Sequence, residues 1–155
     1  MDTEDYGHLL LATDFEPESE PVVARALRLR TLFEARLTLL HVVEYVPPSM
    51  DYMPVGYSGD PLIGGEAGLE AELLRVAEQE MTALGERLEV PAADRLVRVG
   101  ATGQVIDEVA AELEVDLVVI GSHGRHGLLG LFGATARQVL RNPDCDVLCV
   151  KLGRN

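Results

Sequence analysis

The chain has 155 residues, 47% of them hydrophobic and 25% charged, enough for one domain with a packed core. Its formal net charge of −13 argues against nucleic acid or an anionic membrane surface as the main partner. No apolar run is long enough to cross a bilayer. The acidic start, Met1-Asp-Thr-Glu-Asp-Tyr6, lacks the basic and apolar regions of a signal peptide, so a cytoplasmic location is expected.

Taken in chain order, His8-Leu-Leu-Leu-Ala-Thr13 reads as a buried strand. Pro17 and Pro21 mark a turn and a helix start. Val22, Ala26, Leu29 and Phe33 then fall at helical spacing, with Val23, Leu27 and Leu32 widening the stripe. Residues 36–43 form a second strand. The Pro-, Gly-, Tyr- and Met-rich segment 44–65 has no period, and a connection of this length reads as a functional flap or a disordered loop. Leu69, Leu73, Val76, Met81, Leu84 and Leu88 give a second helix, in which Gly85 costs about 1 kcal/mol relative to alanine.

Residues 94–99 form a weaker strand with internal charges, as an edge strand often has. Thr102 is placed to cap a third helix with the stripe Val105, Ile106, Val109 and Leu113. Residues 117–120 are a fourth strand, followed by the glycine-rich stretch from Gly121 to Thr135. The amphipathic run 136–141 stops at Asn142-Pro143, and residues 147–150 are a fifth strand. Strands alternate with helices throughout, and three strands are continuous apolar runs. An α/β fold follows, a parallel sheet covered by helices on both faces, as a single domain over residues 1–155.

Ligands in such sheets lie beyond the carboxyl ends of the strands, where strand order reverses. A glycine-rich turn between a buried strand and a helix start offers backbone N–H groups and the positive helix end to a phosphate. Candidate groups occur at three strand ends: Ala12-Thr13-Asp14, His41-Val42-Val43 and Gly121 onward. Simpler readings stand beside these. Thr13-Asp14 serves equally as a turn, His123 as a solvated loop residue and His41 as a structural group. Glu66, Glu70 and Glu72 read as a solvated helix face. No nucleophile elbow and no phosphate-binding lysine of the Walker type is present, so an efficient ATP-hydrolysing enzyme is not expected.

Cys145 and Cys149 lie about 13 Å apart in an extended strand, too far for a disulfide, and read as buried thiols. A redox role for Cys145 is the alternative. The last strand is strongly apolar at Val147, Leu148, Cys149 and Val150. As a bare sheet edge it would invite pairing with a second copy, unless the tail from Lys151 to Asn155 covers it.

Across nearly its whole length the chain resembles the universal stress protein family. The resemblance is carried by Thr13-Asp14, Leu40-His41-Val42, Val99-Gly100-Ala101-Thr102-Gly103, Gly121-Ser-His-Gly-Arg125 and Asp144-Cys-Asp-Val-Leu148, in this order and spacing. It implies an open five-stranded parallel sheet in the order 3-2-1-4-5 (Rossmann-like, adenine nucleotide alpha hydrolase-like), a homodimer and a regulatory role in stress survival. It also implies an adenine nucleotide, ATP, as ligand, with Ala12, Thr13 and Asp14 at the adenosine end and Val42 and Ile120 against adenine. Asp14 would accept from a ribose hydroxyl or help hold Mg²⁺. Gly121, His123, Gly124, Gly133, Ala134 and Thr135 would follow the ribose and phosphates.

The nucleotide-binding branch of that family carries Gly, two residues, Gly, nine residues, then Gly with Ser or Thr. Here Gly121 and Gly124 fit. Counting nine more residues reaches Ala134-Thr135, and counting eight reaches Gly133-Ala134, so the loop is one residue short. A lost hydroxyl contact to phosphate costs roughly 1.5–3 kcal/mol, or about 10- to 150-fold in affinity. The expectation is weak or conditional binding by a regulatory module. The alternatives are a nucleotide-free dimeric signalling module and a slow ATPase or self-phosphorylating protein.

Overall fold

The apolar runs assemble into one parallel sheet: β1 His8–Ala12, β2 Arg36–Val43, β3 Arg95–Val99, β4 Leu117–Gly121 and β5 Asp146–Val150. Strand order is β3-β2-β1-β4-β5, as expected. The computed structural model describes residues 5–44, 65–122 and 145–152. Helices α1 Glu20–Phe33, α2 Gly65–Arg87 and α3 Thr102–Glu112 connect the strands, with 3-10 turns at Pro17–Ser19 and Ala92–Asp94. The helix expected between β4 and β5 and most of the segment 44–65 lie outside the described residues.

Every residue of β1 and β4 is buried, because these central strands are covered on both faces. Alternate side chains feed two cores. Leu9, Leu11, Leu37, Leu39 and Val119 pack with Val22, Val23 and Ala26 of α1 and with Met81 and Leu84 of α2. Leu10, Ala12, Leu40, Val118 and Ile120 pack with Val105, Ile106 and Val109 of α3 on the other face. β3 lies at one edge, with Arg98 and Val99 exposed, and β5 lies at the other.

Each described helix ends on a glutamate in the left-handed conformation: Glu34, Glu89 and Glu114, with φ of 50°, 55° and 53°. The next residue donates its N–H five residues back, from Ala35 to Arg30, Val90 to Gly85 and Val115 to Ala110, at 2.9–3.0 Å. This is the Schellman ending, in which a buried apolar residue locks the last turn before the chain re-enters the sheet.

Three expectations need correction. Leu32, Leu69, Leu73 and Val76 are exposed in the described structure, so only the later part of the α2 stripe (Ala77, Met81, Leu84) enters the core. Thr102 does not cap α3. The N-cap is Ala101, and the carboxylate of Glu44 accepts from the Thr102 backbone N–H (2.8 Å) and from its hydroxyl (2.6 Å). The cysteines are not both buried. Cys149 is exposed and Cys145 half-buried. Burial pushes the Cys145 thiol up to about 11, so it holds little of the thiolate that redox chemistry requires at neutral pH.

Gly85 is explained by packing. A Cβ there would collide with the side chain of Arg95, whose Nε donates to the Val90 carbonyl at 2.8 Å. The helix gives up about 1 kcal/mol of propensity to admit that arginine.

His8 is buried at the start of β1, with Nε2 2.7 Å from the Thr38 hydroxyl and Nδ1 facing the Leu113 carbonyl at 3.3 Å. Burial, and secondarily the positive charge of Arg36, lower its pKa below the ordinary 6.5. The unfolded chain therefore takes up this proton first as pH falls. The stability contributed by neutral His8 is intact above about pH 6.5 and is lost as pH descends through the folded-state value. Urea unfolding between pH 8 and pH 5 should show this loss, and His8→Gln should flatten the part of the slope just below pH 6.5. An unchanged slope in the variant would contradict the assignment.

Candidate functional site

The chain steps leftward from β1 to β2 to β3 and then returns to β4 on the far side of β1. The switch point is thus the crevice between β1 and β4, at their carboxyl ends. Leu11 lies opposite Val119, which brings Ala12 level with Ile120, and Ala12 pairs with Leu40 on the other side. β2 runs further, carrying Val42 beyond the end of β1, where it packs half-buried against the α3-side core.

The turn after β1 is held from three directions. The Thr13 N–H donates to the Leu40 carbonyl at 2.9 Å, continuing the ladder. Thr13 Oγ1 accepts from the Phe15 N–H at 3.1 Å, and Asp14 Oδ1 accepts from the Glu16 N–H at 3.0 Å. His41 Nδ1 donates to the Thr13 carbonyl at 2.7 Å, while its ring lies 4.4 Å from the ring of Phe15. Phe15 is left-handed, with φ of 64°, a conformation costly for a bulky residue unless neighbours enforce it. Thr13-Asp14 is therefore a turn and also a fixed platform, on which the half-buried Asp14 stands at the mouth of the crevice.

On the other wall Ile120 and Gly121 are buried. Gly121 is the last strand residue, level with Val150, so the loop begins one position later than the sequence suggested. Ser122 locks this exit: its N–H donates to the Val150 carbonyl at 2.8 Å, and its hydroxyl accepts from the Leu152 N–H at 2.7 Å.

The structure thus gathers Ala12, Thr13, Asp14, Val42, Ile120 and Gly121 at one end of the sheet. His123, Gly124, Gly133, Ala134 and Thr135 lie outside the described residues. Among the described residues no three His, Cys, Asp or Glu side chains cluster to hold a metal. On β5, Val147 and Leu148 are half-buried, Cys149 is exposed and Val150 is buried. Sequence reasoning missed Phe15 and the bond from His41. The signal available was an aromatic residue directly after a Thr-Asp turn.

The universal stress protein family model matches residues 5–151. The chain belongs to that family. Universal stress protein A homolog 1 of Coxiella burnetii is 34% identical over 145 residues, covering 94% of this chain and 96% of the relative. Universal stress protein A of Escherichia coli is 28% identical, covering 95% of each. Universal stress protein UspA from Lactobacillus plantarum superposes with a TM-score of 0.70 at 21% identity, over 96% of this chain and 99% of the other. A universal stress protein solved in complex with cAMP gives 0.58 at 22% identity, over 96% and 98%. These likenesses show a shared overall fold. No helix among the described residues is long and apolar enough to span a membrane.

Proposed function

We infer that this member of the universal stress protein family is a cytoplasmic regulatory module. It binds an adenine nucleotide, ATP, weakly or conditionally at the carboxyl ends of β1, β2 and β4 and the loop from Gly121 to Thr135. The observation that carries this reading is the Thr13-Asp14 platform. Its carbonyl is held by His41 and its carboxylate is half turned into its own turn, so Asp14 is preset at the switch-point crevice. A preset acceptor loses little entropy on meeting a ribose hydroxyl or a nucleotide-bound Mg²⁺. The cAMP complex of a protein with this fold supports an adenine ligand. The nucleotide supplies the ligand's charge, and the chain's part is to bind and orient it rather than to turn it over. Pairing of two copies through β5 would cover the exposed Cys149 and the half-buried Val147 and Leu148.

Calorimetric titration of the full chain with ATP and Mg²⁺ tests the reading. Saturable binding is expected, weakened about 10- to 150-fold in Asp14→Ala, the range of one lost charged contact. A flat titration and an unshifted melting curve at millimolar ATP would end it. The one-residue-short loop would then favour the nucleotide-free dimeric module.

A further inference from the structure

The chain carries a single lysine, Lys151, against a net charge of −13. A triphosphate approaching such a chain meets a repulsive field unless a cation stands at the point of contact. Lys151 directly follows the last residue of β5, at the carboxyl end of the sheet where the β1–β4 crevice opens. β5 lies beside β4, so Lys151 stands two strand spacings, or about 10 Å, from β1 and the Asp14 turn.

Ser122 fixes the backbone of Lys151 from both sides. The Ser122 N–H donates to the Val150 carbonyl at 2.8 Å, and its hydroxyl accepts from the Leu152 N–H at 2.7 Å. Leu148, Val150 and Leu152 all pack in the α1/α2 core, so the strand alternation runs on through residue 151. Alternation places Lys151 on the opposite face, the one that carries Ala12, Val42 and Ile120. Its side chain is exposed, and among the described residues it makes no hydrogen bond or ion pair. Arg36, Arg75 and Arg87, by contrast, are each answered by a carboxylate.

We propose that Lys151 contacts the outer phosphates of the adenine nucleotide and sets a preference for the triphosphate over ADP and AMP. The inference rests on the nucleotide reading above and adds to it a residue and a specificity. Asp14 beside β1 meets the ribose end, and the ammonium beyond β4 meets the end of the ligand that carries most of its charge. An ammonium on a flexible stem offers three donors and suits phosphate oxygens whose positions are not fixed in advance. A charge next to an edge strand also discourages edge-to-edge association, but that role is indifferent to the number of phosphates.

The test uses the full chain isotopically labelled only at lysine, which gives one side-chain NMR spin system. With Mg²⁺ present, ATP should shift its signals saturably, ADP should shift them less, and adenosine should leave them in place. This series needs no variant. In calorimetry, Lys151→Gln should weaken ATP about three- to tenfold and ADP by less, with adenosine unchanged. Lys151→Arg keeps the charge and should stay within about twofold of the parent. Arg28→Gln removes the same charge from an exposed position on α1 and should also stay within about twofold. Because Lys151 is exposed, Lys151→Gln should melt within about 2 °C of the parent. Lys151→Gln binding ATP like the parent, or weakening adenosine as much as ATP, would overturn the proposal and leave the nucleotide reading intact. So would lysine signals that ATP saturates without moving. Absence of ATP binding by the parent would end both.

Discussion

Leu39→Ala should cost about 2–5 kcal/mol of folding stability, lowering the melting temperature by roughly 4–20 °C in a chain of this size. Leu39 is fully buried in β2, level with Leu11 of β1 and Arg95 of β3, and packs in the α1/α2 core. Neighbours on three sides are fixed by strand ladders and helix contacts, so the vacated volume cannot collapse. The informative control is Leu73→Ala on α2, chemically the same change at an exposed position. It should stay within about 0.5 kcal/mol. Urea unfolding of both variants gives the comparison, with slopes expected to match the parent. Similar losses in the two would mean that the early part of α2 is packed after all.

How far the fold could be read depended on where its signals lie. β1 and β4 were legible because double coverage makes a strand apolar without interruption, and no other element of this length does so in an α/β chain. β3 was legible for the converse reason, since its charges sit on an edge. The helix ends were not legible, because the usual mark of a left-handed terminus is glycine and this chain uses glutamate. The recurring triplets Phe33-Glu-Ala35, Leu88-Glu-Val90 and Leu113-Glu-Val115 carry the information. The apolar third residue is the one that docks and closes the turn.

Long-range bonds were invisible for a different reason. Nothing local marks Glu44 as the cap of a helix that starts 58 positions later, or His41 as the support of the carbonyl at Thr13. The site was half legible. Glycines and a Thr-Asp pair mark the switch point, but the rigidity of that pair comes from the sheet beneath it. Alternation at helical spacing also misled in α2, because periodicity records which side chains share a face and not whether anything covers that face.

Asp116→Ala should be the most damaging polar substitution at the other end of the sheet, at about 2–4 kcal/mol. Asp116 Oδ2 accepts from the backbone N–H groups of Gly7 (2.9 Å) and His8 (2.8 Å). Its own N–H donates to the His8 carbonyl, and its carbonyl accepts from the Asp146 N–H. One residue thus fastens the first turn of β1 to the starts of β4 and β5, and alanine leaves two donors without their acceptor. Water can reach Gly7 and recover part of the loss, but His8 is buried and cannot be solvated so readily. Asp116→Asn keeps an acceptor oxygen at the same place and should lose about half as much. The pair also reports on His8, because the Asp116 charge raises the imidazole pKa against the stronger lowering by burial. In Asp116→Asn that support disappears, so an NMR titration of His8 should move further below the ordinary value and the acid-sensitive window should extend to lower pH. A titration midpoint that rises, or a stability loss equal to that of the alanine variant, would mean that the carboxylate acts elsewhere than at the β1 entry.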